Sequence, residues 1–289
     1  MSTYGPINRV SVVSTGSVQI RLEHVGPTRK NTYWWLATSR RWTQPRPINA
    51  YVIEHRNGLM LFDTGQDRAS VTDVGYFPGG LTGIVYDRLA RFDIGPDQTL
   101  TRQMAALGYD IGDVATAVLS HLHQDHIGGL PRLGHADTLV SGLEWQTMQY
   151  PLAGLRGYLR EHIDLPGLRW RHIHPEPISD LSLAPFDAGH DVFADGSMVL
   201  LPTRGHSPGS MSLLVRRPNH APLLLVGDLT YDANLLAEGH VPGAGDKTRL
   251  RHTVAAVNEL RRRFPDLVVL PAHDPGAANR LAAALTADL

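Results

Sequence analysis

The stretch VATAVLSHLHQDHIGGL, Val114 to Leu130, decides the reading of this chain. Its opening run, Val114–Leu119, has the length and composition of a buried strand. The run stops at Ser120 and delivers His121, His123, Asp125 and His126 in quick succession, followed by Gly128, Gly129 and Pro131. A strand end is a rigid mount for a site, and glycine lets the backbone turn tightly beside it. Imidazoles packed this closely crowd one another unless something binds them. A divalent metal ion, or a pair of them, is the natural occupant.

Working outward, three further apolar runs end in the same manner. Ser197–Leu201 leads to Thr203-Arg204-Gly205-His206-Ser207-Pro208-Gly209. Leu223–Val226 leads to Gly227-Asp228-Leu229-Thr230-Tyr231, and Leu267–Leu270 to Pro271-Ala272-His273-Asp274. One histidine at a strand end says little. Metal-type side chains at successive strand ends, each beside Gly or Pro, say much more. His121, His123, His126, His206 and His273 with Asp125 and Asp228 make a nitrogen and oxygen ligand set. If one aspartate bridges, two metals share it, and a bridging water completes each site. Such ligands suit Zn²⁺, with Fe, Mn or Co as substitutes.

The rest of the chain frames that centre. It has 289 residues, net charge −1 and a sequence pI near 7. Nothing there argues for nucleic acid or an anionic membrane as partner. With no cysteine, a thiol nucleophile, disulfides and Cys-based metal sites are excluded. The N-terminal residues lack the apolar core of a secretory leader, and no run has transmembrane length, so a cytoplasmic place is expected. No linker or low-complexity segment interrupts residues 1–289, which are read as a single domain.

Residues 7–22 read as a hairpin about Gly16. Ile48–Ile53 and Leu59–Phe62 flank Asn57-Gly58, a hairpin turn signal. Asp63-Thr64-Gly65, at the second strand's end, reads equally as a turn cap or as support for the site. Thr99–Leu107 and Thr248–Phe264 are amphipathic helices, the latter with Arg261-Arg262-Arg263 at its C-terminus. Leu143–Tyr150 is a helix that the stripe Leu152, Leu155, Tyr158, Leu159 would continue. Gly26–Pro47 reads as a loop carrying Tyr33, Trp34, Trp35 and Trp42. Loop aromatics either anchor the loop or wall a pocket. Trp34 and Trp35, with Leu143 and Tyr158, are the expected apolar substrate wall. His190 is a candidate supporting residue; His24, His55, His135, His162, His172, His174, His220, His240 and His252 are expected in solvent.

The H-x-H-x-D-H signature followed by single His, Asp and His at strand ends resembles the metallo-β-lactamase superfamily. The resemblance runs from about Ile48 to His273. It implies an α/β fold, the αββα sandwich, with two mixed sheets face to face and metals at one rim. It also implies that His121, His123 and His206 hold one metal, that Asp125, His126 and His273 hold the other, and that Asp228 bridges. Within the superfamily the chain is most similar to the N-acyl homoserine lactone hydrolases, quorum-quenching enzymes with a tyrosine three positions after the bridging aspartate, here Tyr231. RFDIGPDQTLTRQMAALGYD, ahead of the metal strand, resembles that branch too. Ser210, where a second His often stands, and Gln124, between the ligands, depart from the pattern.

The resemblance implies attack on a lactone carbonyl by a hydroxide shared between two metals. Tyr231 would stabilise the oxyanion and Asp125 would carry a proton to the leaving oxygen. The partners expected are a small-molecule lactone and, at most, a second copy of the chain in a homodimer. The alternative is another hydrolase of the same fold: a glyoxalase II-like thioesterase, a phosphotriesterase or another esterase.

Overall fold

The computed structural model describes residues 5–286. The leader reading rests partly on Met1–Tyr4, which lie outside them. Two mixed sheets pack face to face. The first contains β1 (Ile7–Ile20), β2 (Arg46–His55), β3 (Gly58–Phe62), β4 (Ala90–Asp93), β5 (Val114–Val118), β6 (Asp137–Ser141) and β7 (Arg169–Ile173), in the order β4-β1-β2-β3-β5-β6-β7. The second contains β8 (Glu176–Pro177), β9 (Ala188–Asp191), β10 (Met198–Pro202), β11 (Met211–Val215), β12 (Leu223–Gly227) and β13 (Val268–Pro271), in the order β13-β12-β11-β10-β9-β8. The pairings β3–β5, β5–β6, β6–β7 and β12–β13 are parallel, and the others antiparallel.

The central strands are apolar on both faces because both faces are covered. On β2, Tyr51 and Ile53 point between the sheets and meet Met60, Phe62, Leu213 and Leu225. Ala50 and Val52 point the other way, onto Leu100 and Met104. In the second sheet Leu224 and Val226 turn outward beneath Leu250, Val254, Val257 and Leu260. That helical spacing belongs to the longest helix, capped by the Asp246 carboxylate, which accepts from the N–H groups of Thr248 and Arg249. This is the expected αββα sandwich.

The helices, in chain order, are α1 (Leu22–Val25), α2 (Thr32–Thr38), α3 (Ala69–Thr72), α4 (Gly80–Leu89), α5 (Leu100–Ala106), α6 (Gln124–Ile127), α7 (Gly142–Met148), α8 (Arg160–Ile163), α9 (Ala233–Ala237), α10 (Lys247–Arg263) and α11 (Ala277–Thr286). No helix among the described residues is long and apolar enough to cross a membrane.

Three expectations need correction. The stretch read as a hairpin is instead one long strand, Ile7–Ile20. Its register against β2 shifts between Ser14 and Ser17, and Gly16 at φ +112° forms a bulge that bends the strand without reversing it. The aromatic loop contains α2, whose start is capped by the Asn31 side chain accepting from the Tyr33 N–H. The helix after α7 does not continue through the leucine stripe. Leu152 turns left-handed at φ +61° and stands exposed, leaving an isolated turn over Ala153–Arg156 before α8.

Candidate metal centre

The carboxyl ends of β5, β12 and β13, with the loop after β10, deliver the candidate ligands to one rim of the sandwich. His121 and His123 follow β5, and Asp125 and His126 lie in α6. His206 sits between β10 and β11, Asp228 directly after β12, and His273 two residues after β13. Their ligand atoms converge. His121, His123 and His206 form one group within 4.8 Å, Asp125, His126 and His273 another, and His121, His126 and Asp228 a third between them. Asp228 faces both sides: Oδ1 is 3.3 Å from Nε2 of His126 and of His273, and Oδ2 is 3.6 Å from Nε2 of His206.

Four of the five rings, those of His121, His123, His126 and His273, are aimed by what the outer nitrogen touches. The Asp63 carboxylate, 1% exposed, accepts from the Ser120 N–H at 2.7 Å and the Ser120 hydroxyl at 2.8 Å. It also accepts from His126 Nδ1 at 2.8 Å. Ser120 Oγ then has a lone pair for His121 Nδ1–H, 2.9 Å away. His273 Nδ1 donates to the Pro47 carbonyl at 2.9 Å, and His123 Nε2 to the Arg156 carbonyl at 3.1 Å. In these four rings the outer nitrogen donates, which turns the inner one toward the shared centre. The chain passes close behind His123 because Gly157 is left-handed, at φ +101°; a Cβ there would lie 2.5 Å from the ring. Glu144 ties two ligand loops together. It accepts from the Leu122 N–H at 3.2 Å, the Ser207 hydroxyl at 2.7 Å and the Gly209 N–H at 2.9 Å.

The electrostatics match such a site. Burial, with His126 and His123 nearby, pushes His121 well below the usual imidazole range. Burial brings His206 down to about 3. Burial opposes ionisation of Asp125, yet the His273 ring 3.3 Å away and the charge of His126 bring it to about 2. Asp228 is likewise held well below the carboxylate range by His273 and His126 against its burial. Burial works against charge on His126, but Asp63 and Asp228 raise it well above the imidazole range.

A cavity of about 560 Å³ opens over these groups. Its floor holds His123, Asp125, His206, Asp228, Tyr231 and His273. Its apolar end is walled by Ile20, Leu36, Val85, Leu89 and Phe92. Tyr231 is buried, with its ring stacked 5.8 Å from that of His273 and its hydroxyl donating to Asp228 Oδ2 at 2.9 Å. Burial, then the Asp228 charge, raises its pKa well above the phenol range.

The expected substrate wall is only partly met. Tyr158 lines the cavity, its ring 5.4 Å from that of His123. Trp34, Trp35 and Leu143 do not line it. Trp34 is 64% exposed, on the outer face of α2. Trp35 is fully buried, and its indole N–H points to the Gly243 carbonyl at 3.4 Å. Leu143, at the start of α7, is turned away from the cavity. Tyr33 and Leu36 of the same α2 take their place.

His24 and His55 are buried rather than solvated. His24 lines the cavity. His55 stacks on Phe193 at 4.0 Å and meets Asp195 at 3.3 Å, far along β2 from the ligands. His190 pairs opposite Leu200 on β9, outside the cavity lining. Glu144 and His24 have no signature in the sequence, since their partners lie far along the chain. Asp63 had one, its place at a strand end before glycine.

Residues 43–273 match the model of the metallo-β-lactamase superfamily. The N-acyl homoserine lactonase AttM of Rhizobium radiobacter is 34% identical over 235 residues, covering 80% of this chain and 83% of that protein. Among solved structures, an N-acyl homoserine lactone hydrolase with N-hexanoyl-L-homoserine at its catalytic metal centre superposes with a TM-score of 0.74, at 22% identity, over 94% of this chain and 95% of that one. AidC, a dizinc quorum-quenching lactonase, superposes with a TM-score of 0.57 at 16% identity, over 95% and 90%. The chain belongs to the metallo-β-lactamase superfamily and, within it, to the family of the N-acyl homoserine lactonases, which are hydrolases.

Proposed function

We propose that this protein opens the ring of N-acyl homoserine lactones with a pair of divalent metal ions, zinc in the first instance, held by the convergent histidines and aspartates. The observation that carries this reading is the state of the inner donor atoms. Nε2 of His121, His126 and His273 and Oδ1 of Asp228 are buried with no hydrogen-bond partner among the described residues. Unpaired buried polar atoms are costly, and a cation satisfies all of them together. His121, His123 and His206 would hold one ion, and Asp125, His126 and His273 the other, with Asp228 shared. Lactonase relatives, one of them dizinc, support both the substrate and the metal. Ring opening of this kind is quorum quenching. We also take the chain as one domain, because both ends of the sequence supply walls of the same cavity.

Two such ions, when bound, acidify water between them and draw charge from a carbonyl oxygen. The remaining work falls to the protein. The apolar wall holds an acyl tail and excludes water from it. The Tyr231 hydroxyl, free to turn from Asp228 to a substrate oxygen, donates a hydrogen bond where negative charge develops. Water oxygen bonds to the carbonyl carbon, the ring C–O bond breaks, and the departing ring oxygen needs a proton. Asp125 lines the cavity floor with its carboxylate held by His273 at 3.3 Å. It takes the proton from water and delivers it to that oxygen. No serine or cysteine nucleophile is needed.

The test is a substrate panel on metal-replete protein: N-acyl homoserine lactones, an aryl phosphotriester, a thioester and a β-lactam. Preferred turnover of the lactones is expected. A higher kcat/KM on any of the others overturns the reading.

A further inference from the structure

One polar ring lines the same cavity and is not used by the chemistry above. His24 lies in α1, buried, with its ring edge-on to Trp35 at 4.8 Å and to Tyr231 at 6.0 Å. Tyr231 in turn touches the ligand rings of His206 and His273, at 6.4 Å and 5.8 Å. His24 is therefore one ring removed from the candidate ligands, and it lines the same cavity as Ile20, Leu36 and Phe92. Its Nδ1 is buried without a hydrogen-bond partner among the described residues, and the residue lines the cavity. A polar ring nitrogen at an apolar wall is costly unless a ligand atom meets it.

We infer that His24 is a specificity-determining residue, its Nε2–H donating to the amide carbonyl of an acylamino lactone. The inference rests on the lactonase reading and says which lactones the site prefers. In such a substrate the amide is attached to the carbon next to the lactone carbonyl, one group out from the reacting bond, and the acyl tail continues beyond it. The cavity brings the same features together: ligand rings, Tyr231, His24 and an apolar wall. Burial keeps the imidazole neutral, with its pKa down to about 4, so it recognises a neutral carbonyl rather than a carboxylate. γ-Decalactone has the same kind of reacting ester bond and an alkyl tail, carried on the ring carbon beside the leaving oxygen, but no amide. A site built around a hydrogen bond discriminates most strongly against the analogue that lacks it.

The experiment compares N-hexanoyl homoserine lactone with γ-decalactone on metal-replete wild type, His24→Phe and His24→Gln, with metal content and melting temperature as controls. Binding of ring-opened N-hexanoyl homoserine is measured by calorimetry alongside. The Phe variant should lose about tenfold or more in kcat/KM on the acylamino lactone, mostly through KM, and bind the ring-opened product more weakly. Its turnover of γ-decalactone should stay within about twofold. The Gln variant, which keeps a donor, should recover part of the loss. Equal losses on both substrates, or no loss on either, overturn the role of His24. Should the Phe variant fail to fold, the Gln variant decides: a partial loss confined to the acylamino lactone and its ring-opened product supports the role, and a loss common to both lactones, or none on either, overturns it. Wild type that turns over γ-decalactone faster than the acylamino lactone also overturns it while leaving lactone hydrolysis standing. Wild type inert on every lactone overturns the underlying reading, and the inference with it.

Discussion

The carboxylate of Asp63 stands 2.8 Å from Nδ1 of His126, and both side chains are sealed from solvent. Asp63 reaches this position from the turn after β3, with a left-handed backbone at φ +59° that few non-glycine residues adopt. The same carboxylate holds the Ser120 backbone and hydroxyl, and through Ser120 the His121 ring. One buried charge therefore aims two imidazoles.

Asp63→Asn should accordingly weaken metal retention although residue 63 contacts no ion. The expected loss of metal affinity is about ten- to hundredfold. Competition with a chelator, followed by elemental analysis, measures it. Wild-type retention would mean that His126 and His121 keep their aim without the charge.

Protons and metal should compete at His126 and His273. Both are raised above the imidazole range, His126 by Asp63 and Asp228, His273 by Asp228 and Asp125, in each case against burial. A raised pKa keeps the proton on near neutrality, and a metal must displace it. Zinc added to metal-stripped protein in weak buffer should release protons, and affinity should fall as the pH is lowered through neutrality. An indicator dye reads the release. Uptake with no release, at unchanged affinity, contradicts the assignment.

Tyr231→Phe should cost lactone hydrolysis the value of one hydrogen bond, roughly ten- to thousandfold in kcat, without loss of metal. The ring remains to stack on His273, so the melting temperature should hardly move. Kinetics at equal metal occupancy decide the matter. Unchanged turnover would confine the hydroxyl to its contact with Asp228.

The apolar wall predicts a chain-length effect. Val85→Trp should fill the far end of the cavity and reduce kcat/KM for decanoyl relative to butanoyl homoserine lactone by about tenfold. Trp34→Ala, on the outer face of α2, should leave the profile alone. The reverse pattern would place the acyl tail elsewhere.

The candidate ligand set was legible in the sequence because its members follow closely on the ends of β5, β10, β12 and β13, where local pattern and site coincide. The apolar strands before His121, Asp228 and His273 fall where their hydrophobic runs put them. The substrate wall was less legible. Tyr33, Trp34, Trp35 and Leu36 look alike in a row, but a helix turns about 100° per residue. Tyr33 and Leu36, three apart, share the cavity face, while Trp34 points to solvent and Trp35 into the core. Reading that requires knowing that residues 32–38 are helical, and Gly26, Pro27 and Pro45 around them mask it. Glu144 and His24 were illegible for another reason. Their roles come from Ser207 and Gly209, and from Tyr231 and Trp35, which only the tertiary fold brings close.

The central claim is that the convergent histidines and aspartates hold two metal ions that serve lactone hydrolysis. Its most direct test is stepwise zinc titration of metal-stripped protein, with bound metal and hydrolysis of N-hexanoyl homoserine lactone measured on the same samples. Activity should rise with added zinc and level off at about two ions per chain, and His121→Ala and His273→Ala should each fall short of that content. Full lactone turnover in protein that binds no metal, or a fully loaded protein that leaves the lactone closed, would contradict it.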